Sequence, residues 1–272
     1  MREIQQFGIP YTHKIQKETV KTILFDIDAK KSDGTICDIA DLNKSTIDLV
    51  LRNSNNPSVS TTLISSNLHD LLVGYYAQTT NYDIAITKRT QGYKIAISFG
   101  EYPIECSNSE YLELKTNFSQ ASFTSLVLSG STIQVETIPS EIPNVHGVVP
   151  VLSTFMVGTG DDSFDEQLGD DIIGIIAVTD LTATYDASSK ASITDIELTS
   201  DNGFAKSVSE NVLIHENLDL LAVNPTSDVR NLVLYRNPYN PIDGVRLKVK
   251  FSAVVDNQAK ILVIRLQRPF YN

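Results

Sequence analysis

The chain has 272 residues, 42% of them hydrophobic and 20% charged, a balance that supports a packed core and argues against an intrinsically disordered protein. Its formal net charge of -11 and pI near 4.8 argue against a nucleic-acid binder that works by neutralising phosphates. The length suits one large domain or two modest ones, and no run reaches the roughly 18 apolar residues that a membrane span requires.

Residues 1–21 are the most basic segment, with Arg2, His13, Lys14, Lys17 and Lys21 against Glu3 and Glu18. They read as an N-terminal arm, extended or in a short helix, without the apolar h-region and small-residue cleavage site of a secretory signal. Arg2, Lys14, Lys17 and Lys21 are candidate membrane-facing residues, since each Lys or Arg gains roughly 1 kcal/mol near an anionic lipid surface. An ordinary flexible terminus explains them as well.

Period-two alternation dominates from Thr22 onward. Strands are expected at Thr22 to Ile27, Thr46 to Leu51, Tyr82 to Thr87, Tyr93 to Phe99, Tyr111 to Lys115, Phe123 to Leu128 and Ser131 to Ile138. Turn-formers separate them: Ser32-Asp33-Gly34, Asn53 to Pro57, Gln91-Gly92 and Ser129-Gly130. Ser65 to Gln78 reads as a helix, capped by Ser65 or Ser66, with Leu68, Leu71, Leu72 and Tyr75 on one face. Pro139, Pro143 and Pro150 then punctuate a connecting segment that runs into the acidic stretch GTGDDSFDEQLGDD. Beyond it strands recur at Ile172 to Val178, Leu181 to Tyr185, Ser192 to Leu198, Asn211 to His215, Leu232 to Tyr235, Val245 to Val255 and Lys260 to Leu266. The expected division is an arm at 1–21, a first β unit at 22–145, an acidic linker at 146–171 and a second β unit at 172–272. About eight short strands per unit, with turns at regular intervals, imply an all-β protein of two tandem antiparallel jelly rolls.

Internal similarity supports a duplication. KIAISFGEYPIECSNSEYLELKTNFSQ (Lys94 to Gln120) and NLVLYRNPYNPIDGVRLKVKFSA (Asn231 to Ala253) each run from an apolar strand through a turn holding Pro-Ile, Pro103-Ile104 or Pro241-Ile242, into a second strand. Upstream, KSTIDLVL (from Lys44) resembles KASITDIEL (from Lys190), and SNLHDLL (from Ser66) resembles ENLDLL (from Glu216). The same order of blocks in both halves suggests one unit present twice.

Chemistry-bearing motifs are scarce. His13, His69, His146 and His215 lack metal-ligand spacing, and there is no HExxH, CxxC, GxSxG, Walker or GxGxxG pattern, so no enzymatic activity is expected. Two cysteines, Cys37 and Cys106, are expected as free thiols. Asp161, Asp162, Asp165, Glu166, Asp170 and Asp171 crowd six carboxylates into eleven residues. Calcium takes six to eight oxygen ligands, so such a loop can bind it as a structural ion, although the EF-hand spacing is absent; a solvated linker is the alternative. Asp26, Asp28 and Asp33 form a weaker acidic group. Arg246, Lys248 and Lys250 share one strand face, expected to be solvated or to face another subunit.

Two tandem eight-stranded units in an acidic chain without a catalytic motif resemble the double jelly-roll major capsid proteins, most closely those of corticovirus-type phages: marine, tailless, icosahedral and membrane-containing. The resemblance covers the whole length but rests on architecture, since that family has no diagnostic residue motif. It implies pseudo-hexagonal homotrimers that tile an icosahedral virion shell over an internal membrane. Its partners would be neighbouring trimers, a vertex or spike protein and the membrane or its proteins, with no direct nucleic-acid contact. It further implies calcium-dependent stability and folding in the host cytoplasm before assembly into the virion. The competing reading is a receptor- or glycan-binding β-sandwich, for which Tyr75, Tyr76, Tyr239 and Tyr271 would replace the missing Trp.

Overall fold

The structure, a computed structural model, describes residues 2–6, 10–28, 30–35, 45–67, 86–89, 92–117, 131–158, 160–178, 193–209, 211–213, 215–216, 231–252 and 259–270. Two compact units emerge, one of Met1–Thr79, Asp83–Val151 and Gln267–Asn272, the other built on Leu152–Leu266.

Ten strands belong to the first unit: β1 (Arg2–Gln6), β2 (Tyr11–Ile15), β3 (Glu18–Asp28), β4 (Thr46–Asn53), β5 (Ser60–Asn67), β6 (Ile86–Arg89), β7 (Gly92–Ser98), β8 (Ile104–Cys106), β9 (Glu110–Asn117) and β10 (Thr132–Pro139). They form one sheet in the order β1-β10-β3-β7-β6, with β8 added beside β3, and another in the order β2-β9-β4-β5. Eight strands make the second unit: β11 (Val149–Met156), β12 (Ser163–Gly169), β13 (Ile172–Val178), β14 (Ile193–Thr199), β15 (Ala205–Ser209), β16 (Asn231–Arg236), β17 (Val245–Phe251) and β18 (Lys260–Gln267). Their sheets run β11-β18-β13-β16 and β12-β17-β14-β15. Numbered within the unit, these orders are 1-8-3-6 and 2-7-4-5, the wiring of a jelly roll. With β6 and β8 set aside, the first unit has the same two orders.

The duplicated sequence blocks occupy matching places. β4 lies between β9 and β5, as β14 lies between β17 and β15. Ile104 pairs with Val20 near the start of β3, and Ile242 bridges Ile172 at the start of β13. The corner preceding each of those strands is a non-glycine residue in the left-handed region, Lys17 (φ 59) and Asp171 (φ 54).

Alternation sets the cores. Along β17, Val245, Leu247, Val249 and Phe251 are buried while Arg246 and Lys250 are exposed. They pack with Phe164, Leu168, Leu198, Ile175, Ile261 and Val263 into one apolar cluster. β13 is apolar on both faces and buried from Ile172 to Ala177.

Four expectations need correction. Residues 1–21 are not a free arm: β1 pairs with β10 and β2 with β9, so the segment supplies the first strand of each sheet. The stretch 146–171 is not an unstructured linker either, because β11 and β12 fill the equivalent places in the second unit. The helix expected from Ser65 does not start there. Ser65 to Asn67 continue β5, paired to β4, and the Ser65 hydroxyl donates to Asp48 (2.6 Å) in place of capping a helix. Residues 68–78, with Leu68, Leu71, Leu72 and Tyr75, lie outside the described residues, as do the strands expected at 123–128 and 181–185. Finally, 211–213 are helical and not a strand; Leu213 is buried while Val212 is 45% exposed.

Candidate assembly surface

The outward face of β12-β17-β14-β15 is a ladder of opposed charges. Alternation places Arg246, Lys248 and Lys250 in a row on the central strand, and register sets Asp165 and Glu197 across from Lys248, with Asp195 across from Lys250. Arg246 donates to both carboxylate oxygens of Asp165 (2.8 and 3.0 Å), and Lys248 to Glu197 (2.8 Å). Hydrogen bonds from Arg246 hold the Asp165 carboxyl below the usual carboxylate range, and the same pairing raises the guanidinium. The expectation of a polar, outward face for these cations agrees with this arrangement.

Its counterpart in the first unit is more enclosed. Glu113 on β9 is 9% exposed and accepts from Arg52 (2.9 Å), with Lys115 at 3.1 Å. Burial works to raise its pKa, but hydrogen bonds from Lys115 and Arg52 outweigh it and hold the carboxyl low. Beside it the Lys14 ammonium sits 4.7 Å over the Tyr111 ring.

The basic residues singled out near the N-terminus are not gathered on one element. Lys14 lies on β2, Lys17 at the corner and Lys21 on β3, all three exposed; the backbone of Arg2 pairs with Glu136. They are thus spread over both sheets of the unit.

The six acidic residues are likewise dispersed. Asp161 folds back on Gly158, where an added Cβ would meet its carboxylate at 2.0 Å. The Asp162 carbonyl accepts from Phe251 (2.9 Å). Asp165 and Glu166 are successive on β12 and so point to opposite faces. Asp170 accepts from the Gly244 amide (2.8 Å), and the Asp171 amide donates to Asp243 (2.9 Å). Among the described residues no three carboxylate, imidazole or thiol side chains converge in a group able to hold a metal. With Asp165 and Asp170 committed to protein donors, this set does not fit a calcium site. Asp33 is explained by its turn, accepting from the Thr35 amide and hydroxyl (2.9 and 2.6 Å).

His13 is buried and His146 packs against Tyr102 with centroids 5.3 Å apart; His69 lies outside the described residues. The Cys106 thiol is pushed up to about 12, chiefly by burial, which makes it inert. In the second unit a cleft of about 560 Å³ is lined by Phe204, Lys206, Glu216, Tyr235 and Arg236. Lys206 and Glu216 pair within its lining, and the Tyr235 hydroxyl donates to the Asn240 carbonyl (2.8 Å). Of the tyrosines considered for sugar stacking, Tyr239 is 76% exposed, and the other three lie outside the described residues.

Two units in one chain that share this strand order define a double jelly-roll protein. No protein-family model and no curated protein matches the sequence. Solved structures do match. A crystal structure of the STIV MCP aligns over 99% of this chain and 97% of its own, at a TM-score of 0.57 and 13% identity. The atomic structure of Sulfolobus Turreted Icosahedral Virus covers 100% and 92% (TM-score 0.55, 12% identity). The major capsid protein of bacteriophage PM2 covers 98% and 97% (TM-score 0.53, 11% identity). At such identities the shared property is the fold, here shared end to end.

Proposed function

We propose that this chain is a major capsid protein, a structural component of a virion and not an enzyme. The observation that carries the reading is the repetition of one 1-8-3-6 and 2-7-4-5 wiring within a single chain. Two similar units allow three copies to imitate six-fold symmetry, so the proposed building block is a homotrimer that tiles an icosahedral shell. Neighbouring trimers and a vertex or spike protein would be its partners. The shell would enclose an internal membrane, with the exposed lysines Lys14, Lys17 and Lys21 available to anionic headgroups. The chain would fold in a host cytoplasm before assembly. Cohesion in this proposal comes from contacts between subunits.

Light scattering coupled to size-exclusion chromatography tests it. A particle of three 30.0 kDa chains, about 90 kDa, or a larger multiple of it, is expected. A monomer at all concentrations that binds glycans would overturn the shell and favour a receptor-binding module.

A further inference from the structure

Nine large hydrophobic side chains are exposed among the described residues, and three of them, Ile138, Ile142 and Val145, fall within eight consecutive positions. Ile142 and Val145 are 69% and 75% exposed. Their loop is nevertheless tightly framed. The Ser140 amide donates to Thr19 (2.7 Å), and its hydroxyl donates to the Ile142 carbonyl (2.7 Å). Asn144 holds the far side: its backbone amide donates to Glu105 (2.7 Å), and its side-chain amide donates to the carbonyls of Pro103 (3.0 Å) and Val148 (2.7 Å). Its side-chain oxygen accepts from His146 and Gly147 (both 3.2 Å), and Gly147 closes the turn at φ 62, a conformation open to glycine. The frame therefore fixes the loop while leaving two aliphatic side chains in water, which costs free energy in the isolated chain. Contacts held rigid beforehand lose less entropy on docking.

Charge identifies the occupant. Copies of a chain with a net charge of -11 repel one another, so contact between them favours surface with little charge, and interface cores are depleted of it. From Ile138 to Val149 only Glu141 and His146 are ionisable, and there is no Lys or Arg. An anionic lipid surface would require such cations. We propose that residues 138–148 form a contact by which one copy of this chain docks on a second copy, with Ile142 and Val145 as its buried centre. This rests on the shell reading above and extends it by naming residues.

The test is sedimentation velocity on the full chain, the Ile142→Ser/Val145→Ser variant and, as a control for general surface apolarity, Met156→Ser, whose side chain is 56% exposed on β11. The expected result is at least a tenfold rise in the dissociation constant for the double variant with an unchanged Tm, and none for Met156→Ser. A double variant that associates as the parent does, or a control that dissociates equally, overturns the docking loop and leaves the shell standing. A parent chain that never associates overturns both. Flotation with phosphatidylserine vesicles adds a further arm: a double variant that keeps its mass but loses vesicle binding would assign the loop to lipid and overturn the proposal.

Discussion

The turn between β16 and β17 gives a sharp test of packing. Gly244 sits at φ 57, and a Cβ added there would lie 2.0 Å from Oδ2 and 2.1 Å from Cγ of Asp201. The Asp201 backbone is held by its amide's hydrogen bond to the Asp243 carbonyl (2.8 Å), so the exposed carboxylate itself has to turn away. Gly203, in the same unit, is also left-handed (φ 85) but has open space around it. For Gly203→Ala only the backbone term applies, about 1–2 kcal/mol. Gly244→Ala adds displacement of a carboxylate, another 1–2 kcal/mol by the usual cost of overpacking, for a total of about 2–4 kcal/mol. Removing the obstacle in Asp201→Ala/Gly244→Ala should return the loss to the Gly203→Ala level, a positive coupling between the two sites. Urea unfolding followed by far-ultraviolet circular dichroism measures each value. The reasoning fails if Gly244→Ala costs no more than Gly203→Ala, or if Asp201→Ala does not recover the difference.

Other outcomes follow from the same geometry. Replacing Lys17 or Asp171 with glycine should raise stability by about 0.5–1 kcal/mol, since relief of the left-handed strain exceeds the added chain entropy; a lowered Tm would contradict this. Glu113 has a folded pKa below its model-peptide value of 4.5, so its stabilisation is complete well above pH 4.5 and is lost as pH falls through the folded value. Arg52→Met should cost about 1–2 kcal/mol at pH 7, little of it at pH 3, as a pH series of urea midpoints would show. Cys106 should resist alkylation at pH 8 in the folded chain and react on unfolding, which mass spectrometry resolves; prompt labelling of the native protein would contradict its burial. Chelation with EDTA should leave the Tm unmoved, whereas a fall of several degrees would restore a calcium site outside the groups described above.

The central strands were legible because burial writes itself into sequence. β3, β4, β9, β10, β13, β14, β17 and β18 show alternation or continuous apolar runs, and each has neighbours on both sides. The strands that escaped notice share a position. β1, β2, β5, β11, β12 and β15 all lie at sheet edges, and β8 pairs with β3 alone among the described residues. An edge strand buries less, tolerates charge and proline, and so loses the period-two signal. That is why REIQQ reads as an arm and SFDEQLG as a linker, and why on sequence alone both units begin two strands late. The duplication survived this loss, since its matched blocks cover inner strands and the Pro-Ile turns. For a related reason, density of carboxylates along the chain says nothing of their direction, and a strand sends neighbours such as Asp165 and Glu166 apart.

The placement of β12 has a bearing on solubility. It is an outer strand whose second side has no paired strand among the described residues, and such a row of amides and carbonyls is a template for runaway strand addition. Setting one β12 against another would bring Glu166 close to its own copy, whereas Asp165 carries its Arg246 partner, and like charges across a strand pair are destabilising. Charge on this edge thus opposes its pairing with a second copy of itself. Carboxylates on an outer strand work against edge-to-edge strand addition.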